Sequence, residues 1–120
     1  MEYLFLCSRG IDRSTTAAEV ARKIILGKEL DIETISDAFD DLEENHENLM
    51  EYLARFSRFY VMEEYMQKGL IDKYGIDKNK VVCLNIDDDY RRDKPEDKSK
   101  LETILENILR VEINWALKNS

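Results

Sequence analysis

The sequence predicts an α/β fold in which a parallel sheet lies between two layers of helices. Apolar runs typical of strands alternate along the chain with segments of helical periodicity. Residues 80–86 form a continuous apolar run, as expected for a strand covered on both faces. With 4 glycines and 1 proline among its 120 residues, the chain consists of long elements and few loops. The length is that of one domain, so we expect residues 1–120 to form a single domain.

The first strand, loop and helix follow one another directly. Residues 2–6 form a short apolar run that stops at Cys7, and the next residues favour a loop. Ser14 or Thr15 can cap a helix in which apolar residues recur on one face until Gly27 ends it.

The middle of the chain predicts a second and a third strand. Residues 31–35 alternate like an edge strand, and the acidic stretch 37–47 is typical of a solvated surface. A short amphipathic helix follows over 48–55. The run 56–62 contains Phe59-Tyr60-Val61 and predicts a central strand.

The last third of the chain predicts a helix, a strand, a loop and a long helix. The helix covers 63–73, and Gly75 supplies the left-handed residue that favours its end. The apolar strand 80–86 then leads into a polar loop over 87–97 that contains Pro95. Apolar residues three and four apart predict an amphipathic helix over 98–118. We expect its apolar stripe to pack in the core or, as the alternative, to form an oligomer face; the stripe consists of Leu101, Ile104, Ile108, Val111 and Trp115.

Composition excludes several classes of function. Eighteen basic against 26 acidic residues give a net charge of −8, which repels nucleic acid and anionic membranes. The clearest basic pair, Arg91-Arg92, lies beside the acidic run 87–89. Two cysteines and one histidine give neither a disulfide framework nor a zinc site, so we expect no metal or other cofactor. We expect a reduced, cytoplasmic protein, because no apolar run is long enough for a signal peptide or a membrane span.

The chemistry of the chain is concentrated in its first loop. A loop at a helix N-terminus directs backbone N–H groups and the helix dipole at an anion such as phosphate. The same field favours the thiolate of Cys7, which can attack phosphorus, while the planar fork of Arg13 can hold two phosphate oxygens. The hydroxyl of Ser14 can donate a hydrogen bond to that thiolate. The predicted phosphate-binding residues are Ser8, Arg9, Gly10, Ile11, Asp12, Arg13 and Ser14.

Ligands of parallel sheets bind beyond the carboxyl ends of the strands. The loop at Cys7 and the loop at 87–97 both follow predicted strands, so they share this edge of the sheet. Positions about 80 residues apart thereby form one candidate site.

The segment 3–20, YLFLCSRGIDRSTTAAEV, resembles the active-site segment of the low-molecular-weight protein tyrosine phosphatases, particularly their short prokaryotic branch. Residues 59–63, FYVME, are similar to that branch's central strand. Residues 84–90, LNIDDDY, are similar to the strand and loop that lead to its catalytic acid. The matches occur in the family's order, from residue 3 to about 105.

The resemblance implies a flavodoxin-like, three-layer sandwich with a four-stranded parallel sheet and a phosphate loop after the first strand. It implies hydrolysis of phosphotyrosine in proteins, or of small aryl phosphates, through a phosphocysteine. Cys7 is then the nucleophile, Arg13 the phosphate clamp and Ser14 the partner of the thiolate. Asp93 is the implied general acid and base, with Asp97 as the alternative.

The chain departs from the family's pattern at four places. Gly10 stands where the family often has Asn, and it adopts a left-handed turn unaided. Thr15 replaces the usual proline, and Asp93 is separated from Pro95 by one residue instead of preceding it directly. Asp12 lies beside Arg13, where a carboxylate that faced inward would oppose phosphate binding.

Other polar residues have structural explanations. Cys83 lies in an apolar strand and is expected in the core, and His46 is expected to be an exposed residue at a helix start. The acidic run 87–89 is expected to be a solvated rim and not a cation site. Tyr90 is expected either to stack on a phenyl substrate or to anchor its loop.

Three other functions remain compatible with the first loop. A phosphate- or phosphoprotein-binding module would keep the loop without turnover, as Asp12 and the displaced Pro95 suggest. A phosphocysteine carrier that resembles sugar phosphotransferase subunits also begins its loop with Cys-Ser-x-Gly, although Arg13 argues against a carrier. An arsenate reductase of the same fold would need a relay of later cysteines, for which Cys83 alone is a poor candidate.

Overall fold

A computed structural model describes residues 1–87, 90–91 and 93–118. The strands are β1 (Glu2–Cys7), β2 (Glu33–Ala38), β3 (Arg58–Val61) and β4 (Val81–Cys83). The helices are α1 (Arg13–Gly27), α2 (Leu42–Asn45), α3 (Leu49–Ala54), α4 (Glu64–Lys68) and α5 (Pro95–Lys118). The strands form one parallel sheet in the order β2-β1-β3-β4. The predicted three-layer α/β fold with a four-stranded parallel sheet is confirmed.

The central strand β1 divides the hydrophobic core into two layers. Its side chains point alternately to opposite faces, as in any strand. Tyr3, Phe5 and Cys7 pack on the side of α1 and α5, while Leu4 and Leu6 pack on the side of α3 and α4. All five residues are buried, so β1 and the loop that follows it rest on a fixed base.

The order of the strands creates a crevice at the carboxyl edge of the sheet. From β1 the chain passes through α1 to β2 on one side, and then crosses to β3 on the other side of β1. The connections after β1 and β3 therefore diverge, and ligands of open α/β sheets bind at such a switch point. Cys7 ends β1 at this edge, and Glu63 follows β3 there.

The second strand lies later in the chain than predicted. It covers 33–38 instead of 31–35, and it is an edge strand, as expected. The acidic stretch 37–47 is only partly solvated, which corrects the prediction. It contains the end of β2, a 3-10 turn over Phe39–Asp41 and α2, whose Leu42 is fully buried.

The regions around β4 and the start of α5 also differ from the prediction. Asn85 adopts a left-handed φ of 54°, and the regular strand ends at Cys83. The N–H groups of Leu84 and Ile86 still donate to the carbonyls of Val61 and Met62, at the end of β3. Because β4 is an edge strand, Val82 and Cys83 are half-buried and not covered on both faces. The last helix begins at Pro95, three residues early, because proline suits the first turn of a helix.

The apolar stripe predicted for the last helix is partly wrong. Val111 is 66% exposed and Trp115 is 52% exposed, and Ile104 and Ile108 are half-buried. The residues that α5 buries are Leu101, Leu105, Leu109, Ile113 and Ala116. Three successive steps of four residues place this stripe along one face of a helix with 3.6 residues per turn.

The predicted ends of two helical segments are confirmed. α1 ends at Gly27. The helical segment that starts with α4 continues as a π-helical turn over Gly69–Lys73, and Gly75, which follows it, has a φ of 69°.

Asp88, Asp89 and Arg92, which belong to the acidic run and to the arginine pair, lie outside the described residues. Within the described ranges, no helix has the length and apolar character needed to cross a bilayer.

Candidate active site

The sulfur of Cys7 lies at the bottom of the loop between β1 and α1. Cys7 is the last residue of β1 and is 3% exposed. The backbone N–H of Gly10 donates to Sγ at 3.2 Å, and the Ser14 Oγ lies 3.1 Å from Sγ. Two polar groups therefore contact the sulfur, one from the loop and one from the first turn of α1.

The loop around the sulfur is held on both sides. Gly10 has a φ of 70°, and a Cβ at this position would lie 2.8 Å from the Asp37 carbonyl carbon and the Ala38 nitrogen, so only glycine fits. The Thr15 hydroxyl donates to the Gly10 carbonyl at 2.9 Å. On the other side of the loop, the Asp40 N–H donates to the Ser8 carbonyl at 3.1 Å.

Arg13 begins α1 and is almost fully buried, at 1% exposure. Its Nη1 donates to a Glu63 carboxylate oxygen at 3.1 Å and to the Ile86 carbonyl at 2.7 Å. Its Nη2 donates to the Ser8 hydroxyl at 3.4 Å. These contacts come from the segment after β3, from the segment after β4 and from the loop, so the guanidinium has a defined orientation.

A cleft of about 940 Å³ opens above the sulfur. Its described lining residues are Cys7, Ser8, Arg9, Ile11, Asp12, Arg13, Thr15, Asp40, Arg91 and Asp93. Asp93 is exposed, and its carboxylate lies 3.5 Å from the Arg91 Nε. The structure thus brings Cys7, Arg13 and Asp93 to one cavity, although Asp93 is 80 residues away from Arg13 in the sequence.

The structure places the other predicted site residues as follows. Gly10 and Ser14 contact the sulfur from below the cleft, whereas Ser8, Arg9, Ile11 and Asp12 line it. Among the described lining residues, Asp93 is present and its alternative, Asp97, is not; Asp97 lies half-buried in the first turn of α5. Tyr90 packs against the hydrophobic core, which favours its role as a loop anchor.

Four residues of the site were missed by sequence reasoning: Asp40, Thr15, Arg91 and Glu63. Glu63 lies two residues after the end of β3, so its position at the carboxyl edge was a usable signal. Asp40 lies two residues after β2. Because the strand was predicted to end at residue 35, the sequence did not indicate that Asp40 lies at the carboxyl edge.

Asp40 has a lasting hydrogen-bond donor in Tyr65. Burial and a hydrogen bond to Asp40 raise the pKa of the Tyr65 phenol to about 12, so this hydroxyl stays a donor to Asp40.

A second polar cluster supports the loop from behind. The Asp37 carboxylate accepts from the Ala38 N–H at 2.8 Å and from the Tyr52 hydroxyl at 2.7 Å, and it lies 2.8 Å from His46 Nε2. The rings of His46 and Tyr52 stack with centroids 3.8 Å apart. Burial, and then the contact with Asp37, raises the pKa of Tyr52. His46 is therefore half-buried and contacts Asp37, which corrects the prediction of an exposed residue.

Cys83 is half-buried against the second core layer, and burial raises the pKa of its thiol. Its Sγ lies 3.3 Å from Asn85 Oδ1. Cys83 belongs to the groove beside β4 and α5 and not to the cleft above Cys7.

Across the described part of the chain, no group of three or more His, Cys, Asp or Glu side chains is arranged to hold a metal ion.

Comparisons of sequence do not identify relatives. No protein-family model matches the chain. No curated protein matches it.

Comparison of structures identifies proteins with the same fold. The chain superimposes on a low molecular weight protein tyrosine phosphatase from Bacillus subtilis with a TM-score of 0.77 and 15% identity, over 100% of this chain and 99% of that one. A low molecular weight protein tyrosine phosphatase from T. tengcongensis gives 0.70 and 16%, over 95% and 98%. An arginine phosphatase from Geobacillus stearothermophilus gives 0.59 and 15%, over 99% and 97%. The chain therefore has the fold of the low molecular weight protein tyrosine phosphatases.

Proposed function

We propose that this protein is a phosphomonoester hydrolase that acts on phosphotyrosine or aryl phosphates through a phosphocysteine. The observation that carries the proposal is the environment of the Cys7 sulfur, which faces the Gly10 N–H and the Ser14 hydroxyl at the bottom of an open cleft. The shared fold with phosphatases supports the same function.

The loop 8–14 and Arg13 would bind the phosphoryl group. The first N–H groups of α1 have no acceptor within the helix, and the helix dipole favours an anion at this end. Glu63 and the Ile86 carbonyl hold one nitrogen of the Arg13 guanidinium. The guanidinium can then interact with phosphate oxygens without first having to be ordered, and it would do so more strongly in the transition state.

In the first step, the Cys7 thiolate attacks phosphorus. A bond between sulfur and phosphorus forms while the bond between phosphorus and the aryl oxygen breaks. Asp93, in its protonated form, gives its proton to the leaving oxygen. The products are a phenol and phosphocysteine, and Ser14 stabilises the thiolate before the attack.

In the second step, water attacks the phosphocysteine. The Asp93 carboxylate removes a proton from the water, the bond between sulfur and phosphorus breaks, and inorganic phosphate leaves. The thiolate and the protonated acid are regenerated. No redox step or additional reactant besides water is needed.

The depth of the cleft favours an aryl ester. Cys7 is buried, so a phosphoryl group must extend from a long side chain to reach the sulfur. Ile11 is 60% exposed and lines the cleft, where it offers an apolar surface to an aromatic ring. Because an arginine phosphatase has the same fold as this chain, phosphoarginine is a useful comparison substrate.

One observation favours a second function, a module that binds phosphate without hydrolysis. The carboxylate-bearing residue Asp12 lines the cleft beside Arg13 and can weaken the binding of an anion. If calorimetry detected binding of phosphate and the protein showed no turnover, this function would be selected. The same result would be compatible with a phosphocysteine carrier, which would accept a phosphoryl group on Cys7 without releasing it to water.

The proposal extends to the domain and its location. We assign residues 1–120 to one phosphatase-like domain, and we place it in the cytoplasm because a reducing compartment keeps Cys7 and Cys83 as thiols. The substrate is a phosphotyrosine protein or a small aryl phosphate. The charge of −8 argues against nucleic acid and anionic membranes as partners.

Hydrolysis of p-nitrophenyl phosphate tests the proposed function. We expect turnover by the wild type and a loss of at least about a thousandfold in Cys7→Ser, since the nucleophile is removed. Cys83→Ser is the matched control, because it makes the same change outside the cleft, and we expect it to keep full activity. Equal activity of Cys7→Ser and the wild type would exclude Cys7 as the nucleophile.

A further inference from the structure

Arg9 differs from the other described arginines in its contacts. Within residues 1–87, 90–91 and 93–118, each other arginine has a hydrogen bond, an ion pair or a ring contact with a neighbour. Arg9 is exposed and lines the cleft, but among these residues it has no such contact. This is unexpected in a chain with 26 acidic residues, three of which line the same cleft.

The aspartates of the cleft make contacts elsewhere. Asp40 accepts a hydrogen bond from the Tyr65 hydroxyl at 3.1 Å, and Asp93 lies 3.5 Å from the Arg91 Nε. Asp12 also has a contact of its own. The guanidinium of Arg9 is therefore available to an anion that enters the cleft.

The backbone on both sides of Arg9 is fixed. The Ser8 carbonyl accepts from the Asp40 N–H, and the Gly10 N–H donates to the Cys7 sulfur. Gly10 also lies against the backbone of Asp37 and Ala38. These contacts place the backbone of Arg9 at a defined position relative to the sulfur.

The chemistry of arginine specifies the kind of ligand. The planar guanidinium is always charged and binds a carboxylate or a phosphate through two parallel hydrogen bonds. Ile11, two residues further along the same loop, is the exposed apolar residue of the cleft. A ligand that fits both side chains has an aromatic ring and an anionic group beside it.

We propose that Arg9 binds a second anionic group of the substrate, so that the protein prefers aryl phosphates that carry a carboxylate or another acidic group beside the ring. This inference rests on the proposed function for the location of the first phosphoryl group. The net charge of −8 makes the preference informative, because a doubly anionic ligand is repelled by the rest of the molecule. An acidic residue next to phosphotyrosine would supply this group in a peptide, and a ring carboxylate would supply it in a small molecule.

Peptide binding tests the proposal independently of turnover. Calorimetry in the Cys7→Ser background would compare two peptides in which phosphotyrosine is flanked by two glutamates or by two glutamines. We expect the glutamate peptide to bind about two- to fivefold more tightly at low salt, as for an exposed ion pair, and less so at high salt. Adding Arg9→Gln should bring the ratio close to one, whereas Arg9→Lys should retain part of it.

Arg110→Gln provides the matched control. It removes the same charge from α5, where Arg110 pairs with the exposed Glu106, and it should keep the wild-type ratio. A ratio near one before Arg9 is changed, or an unchanged ratio in Arg9→Gln, would overturn the proposal. A parallel comparison of phenyl phosphate with carboxyphenyl phosphate distinguishes a small-molecule source of the anion from a peptide source.

The two proposals fail in different ways. If the wild type hydrolyses p-nitrophenyl phosphate but the peptide ratio is one, only the role of Arg9 is wrong. If turnover is absent while the ratio persists and depends on Arg9, the anion site stands and the hydrolytic function is wrong.

Discussion

The acid that would protonate the leaving group differs from the other residues of the site in its exposure. Cys7 and Arg13 are buried and held by several contacts, whereas Asp93 is exposed and lies near Arg91 at the rim. A general acid at a rim can approach the leaving oxygen once a substrate fills the cleft. Asp93 therefore makes the sharpest prediction at the residue scale.

We expect Asp93→Asn to lower kcat by about 10²- to 10⁴-fold for substrates with poor leaving groups. The loss should be smaller for p-nitrophenyl phosphate, because nitrophenolate leaves without a proton. A series of phenyl phosphates with leaving groups of increasing basicity would measure this difference. Asp97→Asn is the matched control, and if it caused the loss instead, the acid would be Asp97.

The placement of the loop residues was predictable because the sequence signals for it are local. Cys7, Arg13 and Ser14 lie within eight positions, at the end of one strand and the start of the next helix, and these two elements define what the side chains face. Glu63 and the Ile86 carbonyl reach Arg13 from positions 50 and 73 residues away. A single sequence does not state which of many acidic residues makes such a contact.

At the scale of elements, the end of β2 holds the loop between β1 and α1 in place. Gly10 lies against the backbone of Asp37 and Ala38, and Asp37 in turn contacts Tyr52 of α3. The position of the loop thus depends on a close approach between two stretches of backbone. A side chain on Gly10 would disturb both its φ and this approach.

We expect Gly10→Ala to lower the free energy of unfolding by about 1–3 kcal/mol, because the left-handed φ of 70° and contacts at 2.8 Å both oppose a Cβ. Gly75→Ala isolates the first cause, since Gly75 has a φ of 69° and open space around it. Urea unfolding would measure both variants. A cost of Gly10→Ala no greater than that of Gly75→Ala would contradict the role of the close approach.

Element boundaries were predicted less well than element types. All four strands and the long helices lie near their expected positions, because apolar periodicity reports burial. The shift of β2 arises because Asp37 has partners that let the strand continue through a carboxylate. The contact between Asp37 and His46 also explains why His46 is half-buried, although the sequence around it is polar.

At the scale of the whole molecule, burial of tyrosine rings makes stability sensitive to alkaline pH. Burial raises the pKa of five of the six tyrosines above the ordinary value near 10. For Tyr60, which is fully buried, the pKa rises to about 12. The folded protein then holds protons that the unfolded chain releases, so this stabilisation is complete below pH 10 and declines as pH rises through the raised values.

We expect the free energy of unfolding, measured with urea, to be lower at pH 11 than at pH 9, two values on either side of the ordinary tyrosine pKa. In Tyr60→Phe this decrease should be smaller by about 1–2 kcal/mol, because the substituted ring no longer titrates. Identical pH dependence in the variant and the wild type would show that Tyr60 does not contribute.

The overall fold was predictable because alternating strands and helices leave few parallel topologies, and right-handed crossovers limit them further. The exposed face of α5 was not, because Val111 and Trp115 fit an apolar stripe as well as the buried residues do. The net charge was equally uninformative about the cleft, where Arg9, Arg13 and Arg91 gather in an acidic molecule. Average composition thus argued against nucleic acid and anionic membranes as partners, whereas the geometry brought the predicted site residues to one cleft.

Trapping the covalent intermediate tests the proposed mechanism most directly. The wild type would be mixed with p-nitrophenyl phosphate, quenched within one turnover and digested, and the peptide that contains Cys7 would be analysed by mass spectrometry. We expect one phosphoryl group on Cys7 that disappears as inorganic phosphate is released. Turnover with no phosphoryl group on Cys7 during the reaction would contradict catalysis through phosphocysteine.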